Sequence, residues 1–417
     1  MKFGLRGIRR LLNVLGNPQN HLKVIHIAGT NGKGSTAAFL ASILTSAGYR
    51  TGLYTSPHLV EFSERIRING NKISQGHIIK LVSKLQPEIE KFQCTFFEAV
   101  TAIAFQYFFE QKADIIVLET GLGGRLDATN LCKPIATIIT SMSYEHTDIL
   151  GSTLYEISKE KAGIIKSRVP CICGVENQEA LRIIRIECKL KKAPLISLDK
   201  ISYKIIEQSI DSTKIDVSNP DFTFKNLVLS LAGEFQVRNV LLAIKTITVL
   251  RKASKIFISG DDIYNGLNNV LANTGFRGRF TILKRKPLTI LDVAHNPNAF
   301  NTLVKSLKRL KIPKVILMIA LMKDKDYKAI IRKLSTITKL AIITTPKTER
   351  ARSIQDLELE FRKHKIPVFR ARNTNEGLRL LKSIGRYSFP RLITGSHFLA
   401  GETLATIEHK KYLTINQ

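Results

Sequence analysis

Residues 26–44 read HIAGTNGKGSTAAFLASIL, an apolar run, then Gly29-Thr30-Asn31-Gly32-Lys33-Gly34-Ser35, then a helical pattern. Glycines at such a strand-to-helix turn let backbone N–H groups face an anion. The helix N-terminus adds its dipole, and Lys33 supplies a point charge for the β and γ phosphates of a nucleotide. A tight turn without a ligand is the alternative. In the common GxxxxGK[ST] loop a glycine stands five residues before the glycine of the GK pair. Here that position is Ile27, and only two residues separate Gly29 from Gly32. The shorter loop argues against ordinary GTPases and small-molecule kinases.

Other residues carry weaker signals of their own. Glu119 closes the apolar run ADIIVLE; a carboxylate at the C-terminal end of a parallel strand lies where open α/β sheets bind ligands, against the competing reading of a surface carboxylate. His146 alone reads as a buried hydrogen-bonding histidine, because imidazole is an unusual magnesium ligand. Lys161 in a K-E-K run reads as part of a solvated helix face. Phe96 and Phe97 offer aromatic surface for a flat ring, or belong to the core of the following helix.

These residues need a scaffold, and the chain is long enough for one. Its 417 residues, 44% hydrophobic, allow two or three packed domains. Runs such as 99–109 stop short of the ~20 apolar residues that span a bilayer, so no membrane segment is expected. The basic, amphipathic N-terminus reads as a first helix rather than a transit peptide. Five scattered cysteines, at 94, 132, 171, 173 and 188, fit a reducing cytoplasm, with Cys171 and Cys173 as alternating strand positions. The formal net charge of +30 is spread along the whole chain, without a basic tail, finger spacing or RNP-like strand. It reads as biased composition and a solvated surface, with steering of anionic substrates as the alternative, and nucleic acid is not expected as a partner.

Strand-like runs alternate with helical patterns over the first 250 residues, which implies βαβ units and a mainly parallel sheet. Residues 200–230 suggest a small antiparallel sheet at its edge. A second series of strands and helices begins near 280, and the Gly-rich stretch Asn273 to Arg279 is the natural boundary.

The short GTNGKGS loop, together with TSPHL (55–59), LETGLGGRLDATN (118–130), EHTDILG (145–151), KEKAGI (159–164), GEFQVRN (233–239), RGRF (277–280) and DVAHNP (292–297), resembles the folylpolyglutamate synthase and dihydrofolate synthase branch of the Mur ligase superfamily. The resemblance runs through nearly the whole chain, in the family's order. It implies an α/β fold with an N-terminal Mur-ligase-type ATPase domain, residues 1–274, holding a mainly parallel sheet and a small antiparallel sheet. A smaller Rossmann-like C-terminal domain, residues 275–417, would follow. It implies an ATP-dependent ligase that adds L-glutamate to dihydropteroate and to reduced folates through an acyl phosphate, as a cytoplasmic monomer.

By the same resemblance Ser56 and Glu119 hold one magnesium ion and Glu119 and His146 a second, while Lys161 is carboxylated to a carbamate. Gly29, Thr30, Asn31, Gly32, Lys33, Gly34, Ser35, Asn239, Arg279 and Asp292 would contact ATP, and His295 would lie near the transferred group. Thr95, Phe96, Phe97, Glu98, Leu126, Asp127 and Ala128 would receive the pterin-bearing acid. Three readings compete: a monofunctional folylpolyglutamate synthase, which the sequence does not separate from the bifunctional enzyme, a nucleic-acid-binding protein using the +30 charge, and a Mur-type ligase for another acid such as a nucleotide-linked cell-wall precursor. The TSPHL and LETGLGGRLDATN segments, and a loop that begins only 28 residues in, tell against the last.

Overall fold

A computed structural model describes residues 4–384 and 389–412; the first three and last five residues of the two expected domains, and 385–388, lie outside the described residues. Eight strands form the first sheet: β1 (Val24–Ala28), β2 (Thr51–Tyr54), β3 (Ile66–Ile68), β4 (Asn71–Lys72), β5 (Ile115–Glu119), β6 (Pro134–Ile139), β7 (Cys171–Cys173) and β8 (Leu195–Ser197). Their order is β4-β3-β2-β5-β1-β6-β7-β8. From β2 to β8 all neighbours are parallel, and β3 and β4 add an antiparallel edge. Every residue of β1 and β5 is buried, as continuous apolar runs covered on both faces must be. The chain leaves β1 toward β2 on one side, while β6 flanks β1 on the other. The loops after β1, β5 and β6 therefore meet at a topological switch point, where a ligand crevice forms.

The helix Lys33–Ser46, which opens from the glycine loop, is buried from Gly34 to Leu44. Small and apolar residues occupy all its sides, with Ser35, Thr36 and Ser42 buried among them, because it lies between the sheet and the helices Phe235–Lys252 and Gly260–Asn268. On the other face pack Arg6–Val14, Gln75–Phe92 and Phe96–Glu110. The N-terminal segment is an amphipathic helix that buries Ile8, Leu11 and Leu12.

Three antiparallel strands, β9 (Ser202–Gln208), β10 (Thr213–Asn219) and β11 (Phe222–Leu229), form a separate sheet rather than an edge of the first. Ile215, Val217, Leu227 and Leu229 bury one face of it against the core around the central helix. The antiparallel edge of the first sheet comes instead from 66–72. There Asn69-Gly70, both at positive φ (45° and 79°), make the two-residue turn that a hairpin favours.

The third sheet contains β12 (Thr281–Arg285), β13 (Leu288–Leu291), β14 (Val315–Ile319), β15 (Thr338–Thr344), β16 (Val368–Ala371) and β17 (Arg391–Thr394), in the order β12-β13-β17-β14-β15-β16. All pairs are parallel except β12 with β13. Helices cover both faces. The link to this sheet starts at Gly275 (φ 60°), since Asn273 and Thr274 still belong to the helix Val270–Thr274. Asn273 Nδ2 donates to Ser42 Oγ (3.0 Å), tying that helix end to the central helix. One loop of the N-terminal part crosses over: Leu59 and Val60 are buried in the C-terminal core with Leu291, Val293 and Leu399.

Cys171 and Cys173 are buried on β7, and all five cysteines are free thiols. Among the described residues no helix is long and apolar enough to cross a membrane.

Candidate active site

The loops at the switch point face the C-terminal unit across a cleft of about 1680 Å³. All the residues of 30–35 line it, together with Ser56, Glu119, His146, Lys161, Asn239, Arg279, Asp292 and His295, and Thr95 to Glu98 and Leu126 to Ala128. Gly29 lies just behind this lining and bonds into it. Apart from Gly29, every site residue expected from the sequence is in this lining.

The phosphate-type loop is braced by the segment after β6. Thr30 N–H donates to Ser141 O (2.9 Å) and its hydroxyl to Ser143 O (3.1 Å). Asn31 N–H donates to Ser141 Oγ (2.9 Å), and Thr140 Oγ1 donates to Asn31 O (2.7 Å). The fit leaves no space for side chains. A Cβ on Gly29 (φ 148°) would stand 2.0 Å from Thr140 Oγ1, and one on Gly32 (φ 88°) 2.3 Å from Asn239 Oδ1. Two ammonium groups converge on one carbonyl of this loop: Lys33 Nζ and Lys161 Nζ each donate to Gly29 O at 2.9 Å.

Lys161 is 2% exposed, which corrects the solvated helix face that its K-E-K setting suggests. The helix Leu154–Ala162 buries Leu154, Ile157, Ser158 and Lys161, so this lysine is on the inward stripe and Lys159 is not. Burial, with the Lys33 charge second, lowers its pKa to about 7.

Glu119 is 4% exposed, and its Oε2 accepts Ser56 N–H at 3.1 Å. Burial raises its pKa, opposed by the charges of Lys33, Arg279 and Arg65. His146 sits in a left-handed backbone conformation (φ 49°) and its pKa falls to about 4, mainly through burial. Its ring is neutral near pH 7, as a metal-binding imidazole must be. No three His, Cys, Asp or Glu side chains of the described residues form a metal cage. A buried carboxylate and a hydroxyl beside a phosphate loop nevertheless fit magnesium, which takes one or two protein oxygen ligands and completes its shell with water and phosphate oxygens; the His146 imidazole is the unusual member of the set.

The opposite wall is built at the end of β13. Asp292 accepts Phe280 N–H (2.9 Å) and Ala294 N–H (2.8 Å), which pins the turn that carries Arg279. The Arg279 guanidinium lies over the Phe276 ring, 5.7 Å from its centroid. His295 Nδ1 donates to Val293 O (3.0 Å), and its Nε2 meets Glu145 Oε1 at 3.3 Å. Asn31 and Asn296 also bond across the cleft, with Asn296 Nδ2 3.0 Å from Asn31 Oδ1.

In the acceptor region the roles divide. Phe97 packs on Gly121, where a Cβ would stand 2.4 Å from its ring, whereas Phe96 is 38% exposed and faces Phe62 edge-on at 5.9 Å. Thr95 and Glu98 form the capping box of the helix Phe96–Glu110, and Glu98 Oε1 also accepts Ile8 N–H at 3.0 Å. Asp127 spends both oxygens on its own loop, accepting the N–H groups of Gly121 and Leu122 (2.9 Å each) and of Thr129 (3.0 Å). Leu126 and Ala128 complete that wall.

Sequence reasoning passed over Arg65, Glu145 and His397. Arg65 is 1% exposed, donates from Nε to His58 Nδ1 at 2.8 Å, and lies 5.4 Å from the Phe96 ring centroid. Its Nη2 is buried without a protein partner among the described residues. Burial and the Arg65 charge lower the His58 pKa to about 4, which keeps that ring an acceptor. Burial opposes the ionisation of Glu145, but the His295 hydrogen bond and the charges of Lys33 and Lys161 hold its carboxyl well below the usual range. Glu145 stands inside the quoted EHTD stretch, and the ERIRI segment gave no signal for Arg65.

Phosphate-binding chemistry on one wall and a cationic, imidazole-bearing wall from a second α/β unit define an ATP-dependent ligase. The model of the Mur ligase middle domain matches residues 27–247, and that of the Mur ligase glutamate ligase domain matches 278–385. The dihydrofolate synthase/folylpolyglutamate synthase of Bacillus subtilis is 36% identical over 368 residues, which cover 85% of each chain. The Escherichia coli protein of the same name is 33% identical over 304 residues, 73% of this chain and 68% of that one. Among solved structures, folylpolyglutamate synthase from Thermotoga maritima superposes with a TM-score of 0.86 at 35% identity, covering 99% of this chain and 95% of that one. Escherichia coli FolC in complex with DHPP and ADP gives 0.87 at 27% identity, covering 98% and 94%. The chain belongs to the dihydrofolate synthase/folylpolyglutamate synthase family of Mur ligases.

Proposed function

We propose that this chain joins L-glutamate to dihydropteroate and to reduced folates, with ATP as co-substrate and ADP as product. The observation that carries this reading is the single cleft in which the phosphate loop, Glu119 and an aromatic acceptor wall face Arg279 and His295. Lys33 leaves the loop carbonyls to neutralise the β and γ phosphates, while the backbone N–H groups of 30–35 hold them. Asn239 lies beside the base, Arg279 clamps phosphate from the linker, and Asp292 keeps Arg279 in place.

Ser56, Glu119 and His146 would hold two magnesium ions, which would supply positive charge against the phosphates. The neutral amine of Lys161 adds to dissolved CO₂ and releases a proton, and the resulting carbamate places an anion beside the His146 side of the cleft. The acceptor carboxylate attacks the γ phosphorus and displaces ADP. The amine of glutamate then attacks the acyl carbon, forming the amide and releasing phosphate. Phe96 stacks on the flat ring of the acceptor, and Arg65, with its unpaired Nη2, meets an acceptor carboxylate. Lys323, Lys325 and Arg350 on the C-terminal wall supply cations for the carboxylates of glutamate. Closure of the two domains, divided at 274/275, brings the walls together. The chain acts as a monomer, and its free thiols fit a reducing cytoplasm.

Parallel assays with dihydropteroate and with tetrahydrofolate test the reading. ADP release is expected with both acids and only when glutamate is present; release with neither sinks it. Lys33→Ala is expected to lower kcat by roughly two to three orders of magnitude, the loss typical of one deleted charge-stabilising group, with its circular dichroism unchanged. Arg279→Ala is expected to raise the ATP requirement roughly ten- to a hundredfold, the worth of a charged hydrogen bond at ~1.5–3 kcal/mol. An unchanged ATP titration would return Arg279 to the linker.

A further inference from the structure

We infer that Glu145 is a positioning residue for the ligation: its carboxylate reaches across the cleft and holds the His295 ring with the Nε2 edge turned toward the reacting centre. The inference rests on the ligase reading above and adds a residue to it.

Two bonds fix that ring. The Val293 carbonyl can only accept, so Nδ1 carries the proton of the 3.0 Å contact and the orientation of the imidazole plane is set from its own strand end. The Nε2 edge then meets Glu145 Oε1 at 3.3 Å, so the far side of the ring is held from the opposite wall. His397, its ring centroid 5.3 Å away, packs against the imidazole and limits its swing.

Glu145 is itself held from the N-terminal side. Its side chain is 7% exposed, and the same Oε1 lies 3.8 Å from His146 Nε2. The charge of Lys33, from the phosphate loop, also acts on it. The carboxylate therefore answers to the phosphate loop, to His146 and to the opposite wall at once. The reciprocal contacts of Asn31 and Asn296 run parallel to it across the same gap. A group placed this way adds no bond to ATP. It sets where His295 stands when the glutamate amine approaches, and misplacement by about 1 Å at such a point costs up to ~10²-fold in rate.

Steady-state kinetics of Glu145→Gln, His295→Asn and the double variant, each as the full chain, separate the possibilities. Glutamine keeps the shape, and a thermal midpoint equal to that of the parent confirms folding. Glu145→Gln is expected to lower kcat about tenfold to a hundredfold, with the KM for ATP and the half-saturating magnesium concentration changed less than about threefold. The double variant is expected to be no slower than His295→Asn alone, because both changes remove one arrangement. Glu145→Asp, with a shorter reach, is expected to recover only part of the rate. Full kcat in Glu145→Gln overturns the inference, as do losses that multiply in the double variant. A tenfold rise in the magnesium requirement also overturns it, since the carboxylate would then be a metal ligand. A wild type inactive on every acceptor sinks the ligase reading itself, whereas an active wild type with an unaffected Glu145→Gln sinks only this inference.

Discussion

Lys161→Ala is expected to be nearly inactive, with kcat down about 10³-fold, and to regain part of its turnover when acetate or formate is added. The lysine is buried beside Lys33 and Glu145, and its pKa is lowered to about 7, so near neutral pH a large share of the amine is unprotonated. That neutral fraction can take up CO₂, and the anion formed then offsets the cations around it. Loss of several kcal/mol of charge stabilisation, at ~1.36 kcal/mol per tenfold, gives the stated magnitude. A small carboxylate fills the space that alanine leaves and returns the negative charge. The pH dependence follows in sign: below about 7 the amine is increasingly protonated, so dependence on added bicarbonate should steepen as pH falls from 8 to 6. Full activity of Lys161→Ala, or a bicarbonate response that is flat with pH, would return Lys161 to a packing role at the Gly29 carbonyl.

Glu119→Gln is expected to have an equally large effect with a different signature. The substitution keeps the shape at the end of β5 and removes a buried charge that sits between Ser56 N–H and the field of Lys33, Arg279 and Arg65. Burial raises the carboxyl pKa, so neutralising it should leave thermal stability equal or slightly higher. Turnover should drop about 10³-fold, and the magnesium concentration needed for half-maximal rate should rise. Isothermal titration with magnesium and ADP reads the metal contribution without turnover. Magnesium-dependent ADP binding equal to that of the parent would move the metal away from Glu119.

Much of this site was legible in the chain. The loop 29–35, its unusual spacing and Glu119 at a strand end all follow from local patterns, because a phosphate loop and a parallel strand are local objects. Thr95-x-x-Glu98 is an equally local capping pattern that the sequence reading passed over in favour of a substrate role, and the bonds of Glu98 go to its own helix start and to Ile8. What was not legible depends on pairs far apart in sequence. The burial of Lys161 is decided by a carbonyl 132 residues away, and Glu145 meets His295 across 150 residues. Arg65 stands between Glu64 and Ile66 at the end of a short turn, with no local pattern to mark it, and its Nη2 becomes meaningful only once Phe96 and the cleft surround it. Leu59 and Val60 read as a short apolar step after TSPH, yet they complete the core of the other sheet. The small sheet at 202–229 was recognised by its alternation, while its independence from the first sheet required the pairing itself.

The most direct measurement of the account is isotope transfer. Dihydropteroate whose carboxylate carries ¹⁸O is incubated with ATP, magnesium, L-glutamate and the protein, and the released inorganic phosphate is examined by mass spectrometry. Attack of the carboxylate on the γ phosphorus followed by amide formation must leave one ¹⁸O in each phosphate produced. Phosphate carrying one label per dihydrofolate formed is the result predicted; unlabelled phosphate accompanying dihydrofolate would contradict the acyl-phosphate route and the roles given to this cleft.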